Sequence, residues 1–224
     1  MNEVEILVRD EPHEAVAELL ASAARDGQHV ALTGGTTPRK AYERAAELQR
    51  DWTRAHLWWG DERCVPPDHE LSNFRLAKES LLDSVETDPT KVHRIRGELG
   101  AEAGAQEYAR ELGETQLGVV LLGVGPDGHV ASLFPNAPTL DEAERRVLGA
   151  APGLDPWVDR ITLTLPTLGG APLVVFLLAG EEKADAARRA FREAPSPATP
   201  ASLVRGRERT LVYLDPPAAT PLQV

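Results

Sequence analysis

The apolar residues of this chain fall into short continuous runs, separated by longer stretches in which apolar positions recur every third or fourth residue. The runs predict strands: VEILV (4–8), HVALTGG (29–35), HLWWGDER (56–63), VHRIRG (92–97), LGVVLLG (117–123), then RRVLGAA, RITLTLP, LVVFLLAG and finally RTLVYLD (209–215). The periodic stretches predict helices. EPHEAVAELLASAARDG places Ala15, Leu19 and Ala23 on one face and stops at Gly27; TTPRKAYERAAEL has Thr37 as N-cap and Pro38 at the first helical position. SNFRLAKESLL (72–82) can be capped by Ser72, and AEAGAQEYARELG and EEKADAARRAFREA complete the set. Strands alternate with helices and are continuously apolar, the pattern of a mostly parallel sheet covered by helices on both faces. The reading is an α/β fold with all of residues 1–224 in one domain, APSPATPA (194–201) as a connector and residues 216–224 as a loose tail.

Composition narrows the class. Hydrophobic residues at 42% and charged residues at 26% are ordinary for a globular chain, and no apolar run approaches the ~18 residues of a membrane span. The acidic start MNEVEILVRDEPHE predicts no secretory signal, and the lone Cys64 predicts a reducing cytoplasm and no disulfide framework. A net charge of −11 argues against a nucleic-acid surface. A small anionic partner remains open, provided that cations gather locally, because screening confines charge effects to about 8–10 Å.

GVGPDGHVASLFPN (123–136) contains a G-x-G-x-x-G, yet Asp127 would set a negative charge where a dinucleotide's pyrophosphate should lie. Pro135 leaves little room for the helix such a loop opens, and APTLDEAERR supplies no acidic residue closing a second strand. What remains is a glycine-lined turn presenting Asp127 and His129. Four strands end in comparable groups: Gly34-Gly35-Thr36-Thr37-Pro38, Asp61-Glu62-Arg63, Gly123 to His129, and Glu181-Glu182-Lys183. In an open parallel sheet the carboxyl ends of the strands line one rim, where ligands bind.

GGTTP before a helix offers N–H groups and two hydroxyls to a phosphoryl group, or is a plain capped turn. Lys183 in a first helical turn opposes the helix dipole, which suits an anion-binding role; the bland alternative is a solvated lysine. Arg160 offers a planar fork to phosphate or is a solvated strand-edge arginine. His129 can move a proton near neutral pH, with Asp127 to orient it or to bind substrate hydroxyls; the bland alternative is an Asp-Gly turn beside a bystander histidine. His13, His29, His56, His69 and His93 sit in ordinary surface or strand contexts. Asp61, Glu62 and Arg63 close a tryptophan-rich strand, so at least one should be half-buried and matched by an internal pair or a ligand. Cys64 lacks a marked base, and no histidine or acid spacing suggests a metal site.

Taken together, TGGTTP (33–38), GDERCVPPDHELSN (60–73), LGVGPDGHVASLFPN (122–136), RITLTLP (160–166) and AGEEKADA (179–186) resemble the 6-phosphogluconolactonases, within the wider glucosamine-6-phosphate deaminase and isomerase superfamily, over nearly the whole chain. The resemblance implies a three-layer α/β/α sandwich with a Rossmann-like sheet. It also implies hydrolysis of 6-phospho-D-glucono-1,5-lactone in the oxidative pentose phosphate pathway, without cofactor or metal. By resemblance His129 is the general base, and Asp127 the acid that supports this histidine or the substrate. Gly35, Thr36, Arg160 and Lys183 resemble the phosphate pocket, with Arg63 near the same anion or braced by Asp61, and Gly34, Thr37 and Asp61 are further candidates for binding the substrate. A monomer, or else a homodimer, is expected. Thr36 stands where serine is commoner, and Val130 and Asn136 replace threonine and glycine. LFPN lacks the glutamate that amino-sugar deaminases carry in F-N-E-P, which counts against the isomerase or deaminase alternative. A non-catalytic sugar-phosphate sensor would usually bring a helix-turn-helix, for which the chain has no room.

Overall fold

The computed structural model describes residues 3–153 and 155–222. β1 (Val4–Val8), β2 (His29–Leu32), β3 (His56–Trp59), β5 (Val119–Leu122), β8 (Leu173–Leu178) and β9 (Arg209–Leu214) form one sheet in the order β1-β9-β8-β5-β2-β3, with every pairing parallel. Helices flank it in a three-layer α/β/α arrangement: α1 (Pro12–Arg25) packs on α2 (Thr36–Leu48) and on β8 and β9. The continuous apolar runs are explained by this burial, since β5 is buried at every residue and β8 at all but its first. Each fully buried side chain of Leu or Phe size contributes about 1.5–3 kcal/mol relative to exposure.

The structure departs from the sequence pattern in several places. HLWWGDER is not one strand. The chain leaves the parallel sheet at Gly60, and β4 (Asp61–Arg63) instead joins β7 (Arg160–Leu163) and β6 (Val147–Ala150) in a second, antiparallel sheet of order β4-β7-β6. VHRIRG makes only a single bridge, Leu57 to Val92, because the segment turns away after one residue. The buried face of α1 is Val16, Leu20 and Ala24 rather than Ala15 and Leu19. In the expected loose tail, Asp215 caps α7 (Pro216–Ala219) by accepting from the Ala218 N–H, and Ala218, Ala219 and Leu222 are buried. Residues 223 and 224 lie outside the described residues.

Two tyrosines fix the carboxyl rim. The Tyr42 hydroxyl on α2 donates to the Thr33 carbonyl at 2.7 Å and accepts from its N–H at 2.9 Å, just where β2 ends. Tyr108 on α4 (Ala101–Leu112) does the same at Trp59, the last residue of β3, donating to its carbonyl at 3.1 Å and accepting from its N–H at 2.8 Å. Backbone groups that lose their sheet partners are thereby satisfied without water, and the loops beyond them start from fixed points.

Candidate active site

A cleft of about 290 Å³ opens on this rim, between the ends of the adjacent strands β8, β5, β2 and β3. Its wall takes residues from all four sequence groups, among them Gly34, Gly35, Thr36, Thr37, Asp61, Arg63, His129 and Lys183.

The first wall is the start of α2. Thr37 is not its cap. The helix begins at Thr36 after Gly35, whose φ of 114° requires glycine, and no side chain caps it. The first-turn N–H groups are therefore left for an anion at the positive end of a 13-residue helix. Gly34 is required by close approach, because a Cβ there would fall 2.0 Å from Asn73 Oδ1.

The second wall follows β4. Asp61 is not paired with Arg63: its carboxylate accepts from Ser132 Oγ at 2.6 Å and from Asn73 Nδ2 at 3.1 Å. Arg63 donates Nη1 to the Leu71 carbonyl at 2.5 Å, and its buried Nε has no partner among the described residues. Buried Glu62 accepts from Arg63 N, Asn73 N, Phe74 N and Ser72 Oγ, all within 2.9 Å, and so anchors the start of α3 (Asn73–Ser80). Burial pushes its carboxyl above the ordinary range, and the four donors act against that.

The third wall is the loop after β5. His129 Nδ1 lies 2.6 Å from Asp127 Oδ1, which also accepts the His129 backbone N–H at 3.1 Å. Burial raises the Asp127 carboxyl, but the bonds and charge of His129 outweigh it and hold the group below its usual range. A carboxylate accepts only, so Nδ1 is the donor and neutral His129 carries its lone pair on Nε2. The Phe134 ring tilts against the imidazole at 5.2 Å, and Ala131, also on the wall, adopts a φ of 50° that non-glycine residues seldom take.

The fourth wall follows β8. Lys183 ends a single 3-10 turn (Glu181–Lys183) and directly precedes α6 (Ala184–Phe191). Burial lowers its pKa, partly offset by the charges of Glu182 and Asp127. Among the described residues no hydrogen bond or ion pair engages its ammonium.

Arg160 stands apart. It is buried, is absent from the cleft wall, and gives Nε to the Val158 carbonyl at 3.0 Å and Nη2 to the Pro156 carbonyl at 2.9 Å. Burial and the neighbouring Arg63 charge both lower its pKa. Burial and the nearby Asp159 and Glu62 push the Cys64 thiol up to about 11, so it is a poor nucleophile. Sequence reasoning missed Asn73, Ser132 and Gly125 as individual contributors, although each lies inside a quoted motif.

An imidazole oriented by a carboxylate, on one cleft with an open helix start and a cation that no described residue engages, is the equipment of an α/β enzyme for an anionic small molecule. The chain belongs to the family described as glucosamine-6-phosphate isomerases/6-phosphogluconolactonase, whose model matches residues 7–213. It is 41% identical over 221 residues to the 6-phosphogluconolactonase of Streptomyces coelicolor, covering 90% of this chain and 85% of that protein. Identity to the Thermotoga maritima 6-phosphogluconolactonase is 36% over 192 residues, 85% of each chain. A crystal structure of 6-phosphogluconolactonase from Thermotoga maritima superposes with a TM-score of 0.84 at 32% identity, covering 95% of this chain and 99% of that one. A monomeric glucosamine-6-phosphate deaminase also reaches a TM-score of 0.84 over 98% and 99% of the two chains; at 18% identity it shares the fold.

Proposed function

We propose that the cleft hydrolyses 6-phospho-D-glucono-1,5-lactone to 6-phospho-D-gluconate, the lactone-opening step of the oxidative pentose phosphate pathway. The enzyme class, a carboxylic ester hydrolase of the lactonase kind, follows from the relatives named 6-phosphogluconolactonase. His129 Nε2 takes a proton from water as the oxygen attacks the lactone C1. The tetrahedral intermediate then collapses with cleavage of the bond between C1 and the ring oxygen, and the imidazolium returns its proton to that oxygen. Asp127 keeps the imidazole in the required tautomer throughout. The phosphate is held by the open start of α2 at Gly34, Gly35, Thr36 and Thr37, by Lys183, and by the side of Arg63 not committed to Leu71. Arg160, turned onto the Pro156 and Val158 carbonyls, takes no part in that contact.

The observation that carries this reading is the 2.6 Å bond between Asp127 and His129 on the same cleft as Lys183, whose ammonium is unpaired among the described residues. A lactone is a reactive ester, so positioning and one base suffice. The deaminase alternative is not favoured, because no glutamate follows the Asp-Gly-His element in LFPN.

The test generates the lactone in situ from glucose-6-phosphate and follows acid release above the spontaneous rate. We expect His129→Ala to lower kcat by about 10²–10⁴-fold. Lys183→Ala should mainly raise KM, since phosphate is bound in both ground and transition states. No acceleration by the wild type would end the lactonase reading, and full activity of His129→Ala would end the role given to the histidine. Release of ammonia from glucosamine-6-phosphate would favour the deaminase instead.

A further inference from the structure

Arg189 lies on α6, six residues beyond Lys183, and its guanidinium reaches back to the loop that carries the proposed base. Nη2 donates to the Pro126 carbonyl at 2.8 Å, and Nη1 to the Asp127 carbonyl at 3.1 Å and to Thr199 Oγ1 at 2.9 Å. Nε pairs with exposed Asp185 at 2.8 Å. The described hydrogen bonds give the two carbonyls no other donor. The guanidinium also rests against Gly128, where a Cβ would meet Arg189 Nη1 and Thr199 Cγ2 at 2.9 Å, and where φ is 94°.

The two carbonyls belong to the peptide planes on either side of the Asp127 Cα. Because each peptide is planar, fixing both carbonyl directions fixes φ and ψ of Asp127 and so the direction of its Cβ. We propose that Arg189 is a positioning residue for the hydrolysis: its fork locks both peptides flanking Asp127 and ties the catalytic loop to the helix that begins beside Lys183. The carboxylate is thereby held at the distance that orients His129, and base and phosphate site keep a constant separation as the lactone binds. A lysine cannot replace it, because one ammonium lacks the planar fork that serves two carbonyls and a hydroxyl together. The inference rests on the proposal that His129 is the base, and the test separates the two.

Arg189→Met and Arg189→Ala are compared with His129→Ala in the lactone assay, with thermal unfolding recorded for each. Arg189→Met should lose about 10–100-fold in kcat, the scale of an ångström-level misplacement. KM should stay within about threefold, because Arg189 is not on the cleft wall and the groups proposed to hold the phosphate are unchanged. Added guanidinium ion, at a concentration too low to unfold the protein, should restore much of the kcat of Arg189→Ala, whereas sodium chloride of equal ionic strength should not. A kcat for Arg189→Met within about twofold of wild type, with His129→Ala inactive, overturns the clamp and leaves the base in place. A loss that guanidinium does not restore and that follows the fall in unfolding temperature also overturns it. Full activity of His129→Ala removes the base and the clamp together.

Discussion

At Gly125 the His129 imidazole occupies the space that any side chain would need. A Cβ there would fall 2.0 Å from His129 Nδ1 and 2.6 Å from Asp127 Oδ1, so Gly125→Ala must displace the ring, the carboxylate or both. We expect that variant to keep a native circular dichroism spectrum and to lose about 10–100-fold in kcat on the lactone. Wild-type kcat would show that the ring can shift without cost. The same position shows what a motif conveys and what it hides. Gly123, Gly125 and Gly128 spell a dinucleotide fingerprint, yet their surroundings differ: Gly123 faces open space and leaves room for a side chain, Gly125 yields to the imidazole, and Gly128 takes a positive φ under Arg189. Asp127 and His129 were legible because their chemistry is intrinsic to residue type. Arg189 was not, because within ADAARRAFREA nothing distinguishes the arginine that turns inward from its solvated neighbour Arg188. For Arg160 the limit is related: spacing places it at a strand start, but only the loop before β7 shows that carbonyls take its Nε and Nη2.

Elements were legible where burial is uniform, and obscure where one run crosses between sheets. The strand through HLWWGDER stays apolar up to Gly60, so periodicity gives no sign that hydrogen bonding passes there from β2 to β7. The Gly60 N–H still donates to Leu32 at 2.9 Å, while its carbonyl already accepts from Leu163 at 2.8 Å. This change of sheet carries Asp61 and Arg63 out over the rim, and Glu62 makes it rigid by gathering four donors at the start of α3. Glu62→Gln would set an amide N–H₂ against donors that need an acceptor. We expect a stability loss of about 1–3 kcal/mol in urea unfolding, the cost of leaving buried polar groups unsatisfied. Lactone KM should rise as well, because Arg63 and Asn73 move with the segment. An unchanged urea midpoint would mean that Glu62 does not hold the junction. The segment after β9 was misread for a simpler reason: alanine and proline after Asp215 look like a tail, but aspartate at an N-cap and proline in the first turn are also how a short helix starts.

Across the molecule, the two rims of the parallel sheet serve different ends. The carboxyl rim holds the cleft, and its cations act locally despite a net charge of −11. At the amino rim three histidines that looked unremarkable in the sequence, His29, His56 and His93, come together because β2 and β3 start in register, His29 beside His56. His29 and His56 stack with centroids 4.2 Å apart, His93 stacks on Trp58 at 3.9 Å, and His56 Nδ1 meets His93 Nε2 at 3.1 Å. Trp58 Nε1 donates to His29 Nδ1 at 3.0 Å, so a proton arriving on that nitrogen breaks the bond. His93 Nδ1 faces Glu111 at 2.7 Å, where it must donate. Burial first, and then mutual repulsion with His93, pull the pKa of His56 down; for His29 burial again leads, followed by the charges of His56 and His93. Lys91 adds to the effect on His56 and Asp88 opposes it. A histidine whose folded pKa is depressed binds its proton more readily in the unfolded chain. Its stabilising contribution is therefore complete above the unfolded value of about 6.5 and declines as pH falls through the window beneath it. Urea midpoints recorded from neutral pH down through that window should drop for the wild type and drop less steeply for His29→Gln/His56→Gln, while lactone KM at neutral pH stays unchanged because the cleft is on the other rim. Parallel slopes for the two proteins would assign the acid sensitivity to other groups, the carboxylates of the opposite rim first among them.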